Sequence, residues 1–424
     1  MNGIVRSRER GAISATDLSQ EVSIRVLKTL ALAETKRVAR IHTAPLQSLA
    51  IDAVQQRYLL SAGLDTSIQL LDLEISEVSA DGSQQIPSLS HVASGSGHTR
   101  LVSTVEWYPV DSGMFSTSSF DHTLRVWDTA TMTEACKFDL ESRIHCHRMS
   151  PTGAHALIAA ANESAYVRLC DLRTASAAQQ IFAHQNGGTV VAWSPHRPYM
   201  LATGGADGAL KLWDIRQSSA CLAVCTRPLL PSLEARNETE SMAAAHVGPV
   251  KSILFSRNTG LIASSGSDKC ARIWQTDAAG LSPALLSEFP VGAKGQTDSN
   301  SDTSTSAISV IRGAGDGIGT TVEPSLTSSD DGTIKSEIMF YPNSDGTISG
   351  IELMTGECVV VLEGHLAPAS CLAWRAGHME LYSGGADNNI LIWNPPAVEN
   401  MSNKQAAARM DSWSDDNDDN DDDR

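Results

Sequence analysis

The chain has 424 residues, a formal net charge of −17 and eight cysteines, none in a zinc-type Cys-x-x-Cys spacing. That charge argues against a primary nucleic-acid binder, which normally shows a basic patch, and there is no run of about 18–20 apolar residues to cross a membrane. Several cysteines fall in strand-like runs (Cys170, Cys270, Cys371), as expected of buried thiols in a reduced, intracellular protein with no metal site and no cofactor.

The first stretch, MNGIVRSRERG, carries Arg6, Arg8 and Arg10 but no apolar h-region, so it does not read as a secretory signal. Thr16 or Asp17 can cap a helix that places Val22, Val26, Leu27 and Leu30 on one face. The helical segment 1–35 is either a loosely packed leader or a docking element for a partner groove.

From residue 36 onward a pattern repeats. In HQNGGTVVAWSPHRPYMLATGGADGALKLWDIR (184–216), His184 is followed by Trp193, Thr203, Asp207 and Trp213, with Gly, Pro and Asp turns between four short apolar runs. The same offsets, within one residue, link His42 to Ser61, Asp65 and Leu71, and His98 to Thr117, Asp121 and Trp127. They also link His246 to Ser264, Asp268 and Trp274, and His365 to Ser383, Asp387 and Trp393. The aspartate suits a tight turn where its carboxylate accepts from backbone N–H groups. A histidine, a hydroxyl and an indole N–H can form a buried chain that is stable only when every member is satisfied. Ser/Thr, His and Asp together suggest a hydrolase triad, but an enzyme needs one such site and not five. These residues are therefore assigned to a structural network within each blade, and no catalytic residue is assigned.

These copies resemble the WD-repeat family, whose signature is a Gly-His near the start and a Trp-Asp at the end and whose fold is a β-propeller. The five histidines are 56, 86, 62 and 119 residues apart, and a blade takes about 40–45 residues, so two further copies are expected. MSPTGAHALIAAANESAYVRLCDLR is one, with Met149, Ser164 and Cys170 in place of Trp193, Asp207 and Trp213; it has lost its polar chain and kept its strands. SEIMFYPNSDGTISGIELMTGE is the other, with Asp345 in the turn and Ile351 for the tryptophan. The expectation is an all-β, seven-bladed propeller over 36–396, with repeats near 37–72, 95–128, 140–171, 182–214, 244–275, 306–352 and 363–394. KRVARIH, before His42, looks like the counterpart of GECVVVLEGH before His365. On that reading the first strand completes the last blade and removes an open sheet edge.

Between the copies, 225–244 reads as a long loop and 276–306 as a polar, low-complexity insertion. GAGDGIG (313–319) lacks the Lys-Ser/Thr of a phosphate-binding loop and reads as a turn, as does SSDDGT (328–333). Residues 397–424 form an acidic tail that composition marks as disordered. Residues 401–424 hold eight acidic and three basic side chains, net −5, leaving −12 of the −17 on the other 400 residues. The tail serves solubility, or Trp413 anchors it in a partner pocket.

A closer likeness runs along nearly the whole chain. RYLLSAGLDTSIQLLDLE, TVEWYPVDSGMFSTSSFDHTLRVWDT, the MSP-to-CDLR copy, LATGGADGALKLWDIR and MELYSGGADNNILIWNP resemble the Cockayne syndrome A family of WD-repeat proteins. The WYP-D-GMF-SSFD-TL-VWDT segment is the most specific, and a short helical leader and DSWSDD in an acidic tail extend the likeness. The two insertions and the Asp-only tail depart from it. The resemblance implies a non-catalytic substrate receptor of a nuclear cullin-4 RING ubiquitin ligase in transcription-coupled nucleotide excision repair. Its partners would be the damaged-DNA-binding protein 1 adaptor, cullin-4 and the RING subunit through that adaptor, with the Cockayne syndrome B remodeller at stalled RNA polymerase II as target. It implies no sequence-specific contact with nucleic acid.

Such receptors carry a Trp-Asp-x-Arg box. Trp213-Asp214-Ile215-Arg216 matches it in full, and Cys170-Asp171-Leu172-Arg173 matches except for the tryptophan. Trp213, Asp214, Arg216, Asp171 and Arg173 are therefore the implied adaptor contacts, the arginine forks reaching carboxylates or carbonyls. The alternative for both arginines is a blade-to-blade ion pair. Two other classes remain: a general WD-repeat scaffold or chromatin-associated protein without adaptor affinity, and an enzyme with a convergent titratable set in the central channel.

Overall fold

The computed structural model describes residues 26–34, 36–78, 84–93, 97–217, 221–227, 244–256, 260–276, 283–290, 320–322, 337–353 and 355–396. The expectations for most of 1–35, 225–244 and 276–306, for 313–319 and 328–333, and for the tail 397–424 lie outside these residues.

Seven four-stranded antiparallel sheets follow one another along the chain. Blade one is Leu46–Ile51, Tyr58–Gly63, Ile68–Asp72 and Ser88–Val92; blade two is Val102–Trp107, Met114–Ser119, Thr123–Asp128 and Glu134–Asp139. Blade three is Ile144–Met149, Leu157–Asn162, Tyr166–Asp171 and Ser176–Phe182; blade four is Gly188–Trp193, Met200–Gly205, Leu210–Asp214 and Cys221–Cys225. Blade five is Val250–Phe255, Leu261–Gly266, Cys270–Gln275 and Ala284–Pro290; blade six is Thr320–Val322, Ile338–Pro342, Ile348–Glu352 and Cys358–Leu362. Blade seven takes Ala369–Arg375, Glu380–Gly385 and Ile390–Asn394, and its fourth strand is Ala31–Leu32 from the start of the described chain.

Burial explains the sequence pattern. Second strands such as Met200–Gly205 and Leu261–Gly266 are buried at every position, because a blade is covered on both faces by its neighbours. Outer strands such as Ala284–Pro290 are largely exposed and alternate in burial. Six apolar clusters join adjacent blades and close the ring. One lies between blades one and two, around Val102, Trp107 and Phe115, and one between two and three, around Ile144 and Cys170. A larger one runs through blades three, four and five, and another joins five to six through Phe289 and Tyr341. The last two join six to seven and seven to one.

The closing seam differs from the expectation. The sheet count is eight, one more than the seven blades expected. The eighth is a three-stranded sheet in which Lys36–Val38 pairs in parallel with Gln84–Ile86, which pairs in turn with Glu77–Val78. KRVARIH is thus not the closing strand. Its first three residues enter this small sheet, while Ala31 and Leu32 pair with Asn394 and Trp393. The physical reason is burial: Ile86 and Ala33 fill the cluster between blades seven and one, so the chain crosses that seam instead of continuing along blade seven.

The boundary at residue 36 also moves. Leu27 and Leu30 are 2% and 6% exposed and pack with Trp393, Phe340 and Leu381, so this part of the leader belongs to the core and is not loosely packed. Polar contacts reinforce the seam. Lys36 Nζ lies 3.1 Å from Glu380, Ser370 Oγ donates to the Leu46 carbonyl at 2.7 Å, and Arg375 Nε donates to the Gln56 carbonyl at 2.6 Å.

Candidate docking surface

The repeated histidines sit in the loops entering each inner strand and the aspartates in the turns between second and third strands, while the hydroxyls lie on second strands and the tryptophans on third strands. In blade two, Trp127 N–H donates to Thr117 Oγ1 at 2.8 Å, Thr117 meets His98 Nε2 at 2.7 Å, and His98 Nδ1 meets Asp121 at 2.9 Å. Because the carboxylate can only accept, a neutral imidazole donates to it from Nδ1 and accepts the hydroxyl proton at Nε2, while the hydroxyl accepts from the indole. Blade four repeats the ladder with Trp213–Thr203 at 2.9 Å, Thr203–His184 at 2.8 Å and His184–Asp207 at 3.1 Å. Blade five has Trp274, Ser264, His246 and Asp268 at 2.8, 2.8 and 3.1 Å; blade seven has Trp393, Ser383, His365 and Asp387 at 2.7, 2.7 and 3.0 Å. Blade one stops short: Ser61–His42 is 2.8 Å and His42–Asp65 is 3.0 Å, but Leu71 offers no donor.

Each aspartate also accepts backbone N–H groups, as Asp65 does from Thr43 and Ser67 and Asp121 from Thr99 and Thr123. Burial raises the pKa of these carboxyls, but hydrogen bonds from histidine, hydroxyl and backbone outweigh it and hold them below the usual range. In blade five Arg272, 1% exposed, joins Asp268 to Glu288, and Asp268 falls to about 2. The residue after the aspartate takes a left-handed backbone, from Thr66 (φ 63°) to Gly208 (φ 75°) and Asn388 (φ 63°). These groups are consumed within their blades.

Blade three replaces the ladder with a different buried contact. His147 on its inner strand reaches across to blade two, with Nε2 2.7 Å from Ser116 Oγ and Nδ1 2.8 Å from Ser118 Oγ. Burial, then the Arg148 and His98 charges, push its pKa down to about 3. Cys170 fills the tryptophan slot at 0% exposure, and burial raises its thiol to about 12.

The opposite ends of the blades carry the other candidates. Asp171 and Asp214 are the last residues of the third strands of blades three and four. Arg216 folds back on its own blade: Nη2 and Nε reach Asp214 at 2.6 and 3.0 Å, and the guanidinium lies 4.9 Å from the Tyr199 ring centroid. Arg173 does the same with Asp171, more loosely, at 3.3 and 3.4 Å. Among the described residues, neither forms the blade-to-blade ion pair considered as the alternative. The Arg216 and Arg173 side chains stay 65% and 78% exposed. Trp213 is divided in role: its indole is buried in the ladder, while Asp214 and Arg216 face the rim.

One histidine and one tyrosine, absent from the sequence reading, join the two arginines. His155, in the first turn of blade three, donates from Nε2 to the Pro198 carbonyl at 2.7 Å and accepts from the Leu157 N–H at Nδ1. Its ring lies 4.8 Å from Trp193 and stacks at 5.7 Å on Tyr199, which carries Arg216. Across the junction of blades three and four the order is therefore Arg173–Asp171, His155, Tyr199, Arg216–Asp214. No local spacing connects these positions. The Met200–Asp214 register brings Tyr199 beside Arg216, and the Ile215 N–H donates to the Tyr199 carbonyl at 3.0 Å. The surface presents two preset planar cations around an aromatic centre, suited to carboxylates or carbonyls of a protein partner.

A model of the WD domain, G-beta repeat, matches residues 89–128, 178–214, 239–275 and 356–394. With the ring of sheets, these matched segments give an all-β propeller of the WD40 kind. Among individual relatives, the chain is 28% identical to the WD repeat-containing protein ATCSA-1 of Arabidopsis thaliana, over 97% of this chain and 99% of that one. It is 24% identical to radiation-sensitive protein 28 of Saccharomyces cerevisiae over 49% of this chain and 44% of that one. It is 31% identical to the ribosome biogenesis protein ytm1 of Aspergillus clavatus over 42% of this chain and 41% of that one.

Proposed function

We propose that this propeller is a substrate receptor of a nuclear cullin-4 RING ubiquitin ligase, acting in transcription-coupled nucleotide excision repair. The observation that carries the reading is the Arg173–His155–Tyr199–Arg216 surface, in which both arginines of the Trp-Asp-x-Arg type are exposed and already oriented. Preset side chains lose little rotamer freedom on binding, which lowers the cost of association. The near end-to-end likeness to ATCSA-1, whose name matches the family resembled, supports the same reading.

In this role the protein breaks no bond. The arginine face docks on damaged-DNA-binding protein 1 and, through it, on cullin-4 and the RING subunit. Another surface holds the target, by family likeness the Cockayne syndrome B remodeller at stalled RNA polymerase II. Keeping target lysines near a charged ubiquitin-conjugating enzyme raises their effective concentration.

The test is the affinity of purified damaged-DNA-binding protein 1 for the intact chain and for Arg216→Ala and Arg173→Ala. Removal of residues 1–35 is not a clean probe, because Leu27, Leu30 and the closing strand Ala31–Leu32 lie inside it. Tight binding weakened at least tenfold (about 1.4 kcal/mol) by Arg216→Ala, with unfolding unchanged, is the expected result. Failure of the intact chain to bind refutes the reading. The partial matches to ribosome biogenesis proteins favour a general WD-repeat scaffold as the second reading.

A further inference from the structure

The side chain that follows each ladder histidine takes no part in the ladder. In blades one, five and seven this residue stands in a His-x-(Ala/Gly)-Pro loop, and the aspartate turn grips the loop at both ends. The N–H groups of Thr43, Val247 and Leu366 donate to Asp65, Asp268 and Asp387. The carbonyls of Pro45, Pro249 and Pro368 accept from the Leu64, Ser267 and Ala386 N–H groups, each at 2.9 Å. A backbone held in this way presents its side chain at a fixed place, so a contact there costs little loop ordering. Val247 is 61% exposed, and Leu366, at 92%, is the most exposed large apolar side chain among the described residues.

The neighbours of these two apolar side chains differ. Gly208 in blade four and Gly346 in blade six each lie against the two carbonyls that flank the exposed residue of the next blade. A Cβ on Gly346 would sit 2.7 Å from the His365 carbonyl oxygen and 2.9 Å from that of Ala367, and one on Gly208 would meet the His246 and Gly248 carbonyls. The aspartate turn of blade four therefore adjoins Val247, and that of blade six adjoins Leu366. Asp207 is already bonded to His184 Nδ1 at 3.1 Å. Asp345 has no such partner, because no histidine occurs between His246 and His365. Its Oδ1 accepts from the Thr347 N–H and hydroxyl at 2.9 and 2.7 Å, and among the described residues nothing bonds Oδ2. Asp345 is exposed, and so is Glu363, where the chain enters the Leu366 loop.

We propose that the junction of blades six and seven, at the ladder end of the blades, docks a basic–apolar segment of a partner protein. A bulky apolar side chain of that segment packs on Leu366, and a neighbouring lysine or arginine pairs with Asp345 and Glu363. Charge selects this occupant: a net −17 repels a second copy of the chain and nucleic acid alike, and favours a cation. Burying the Leu366 side chain supplies the larger share of the affinity, and the carboxylates supply register and selectivity. The site lies at the opposite ends of the blades from Arg173 and Arg216, so it does not rest on the adaptor reading.

The experiment uses the full chain. A phage-displayed library of random dodecapeptides is selected against it, and the enriched sequence is synthesised. That peptide is titrated into the unaltered chain and into Leu366→Ser, Asp345→Asn and Val110→Ser. Val110, 57% exposed in the turn after the inner strand of blade two, is the control from the far end of the blades. Leu366 and Asp345 are both exposed, and asparagine keeps the oxygen that accepts from Thr347, so neither substitution disturbs the fold.

The expected result is enrichment of peptides that set lysine or arginine beside a bulky apolar residue. Their affinity should fall roughly tenfold or more in Leu366→Ser and about two- to fivefold in Asp345→Asn, and should weaken with rising salt. Val110→Ser should bind as the unaltered chain does, with thermal unfolding the same in all four proteins. A selection that enriches nothing overturns the proposal. So does a consensus without a basic residue, or binding that ignores both the Leu366 and the Asp345 substitution. Adaptor affinity should be unchanged in Leu366→Ser, which keeps the outcome here separate from that of the Arg216 test.

Discussion

Truncating the ladder hydroxyl offers a test with its own control. Ser61, Ser264 and Ser383 occupy the same position in blades one, five and seven, and all are at most 2% exposed. In Ser61→Ala one buried group, His42 Nε2, loses its partner. In Ser383→Ala two do, His365 Nε2 and the Trp393 indole N–H. A buried group left unsatisfied costs about 1–3 kcal/mol. The second substitution should therefore cost about twice the first, with Ser264→Ala resembling Ser383→Ala through Trp274. At about 2.1 cal/mol/K of unfolding entropy per residue, a ring of this size loses about 1.4 °C of Tm per kcal/mol. Scanning calorimetry should show Ser61→Ala lower by about 1–4 °C and Ser383→Ala by about 3–8 °C. Equal shifts would refute the reasoning, since they would mean that the indole does not depend on the hydroxyl.

Other expectations follow from single sites. Gly208→Ala should destabilise strongly, because its φ of +75° is left-handed and an added Cβ would meet the His246 carbonyl of the next blade; denaturant midpoints measure this. Leu30→Ala, beneath Trp393, should cost about 2–5 kcal/mol, read from the same denaturation curves, and a cost near zero would place the leader outside the core. His147 stays neutral in the fold to about pH 3, whereas the unfolded chain takes up that proton near 6.5. Its contribution should be fully present above about pH 6.5 and lost progressively as pH falls toward 3. A His147→Gln variant should flatten stability against pH across that window.

The repeats were legible because four blades spend the same residues on the same ladder and blade one all but the indole, so His98, Thr117, Asp121 and Trp127 have counterparts at fixed offsets. The seam was not. A closing strand of two residues, Ala31–Leu32, is too short to show a period of two. KRVARIH looks like the strand before His365, yet its first three residues pair in parallel with a segment some fifty positions away, which no local pattern announces. Arg216 and Arg173 were visible as box residues. His155 and Tyr199 were not, because strand register and blade-to-blade stacking, not spacing along the chain, set them beside the arginines.

The seam has a consequence for how the chain acquires its structure. Lys36 and Glu380 are 344 residues apart in sequence, and Leu32 finds its partner only when Trp393 exists. During synthesis, blades one to six can form in order from local hairpins, but the two flanks of the arc stay unpaired until the last strands emerge. Contacts of such sequence separation are slow to form and expose strand edges while they wait. Substitutions at the seam should therefore show first as loss of yield, through aggregation of the open arc, before they show as loss of affinity.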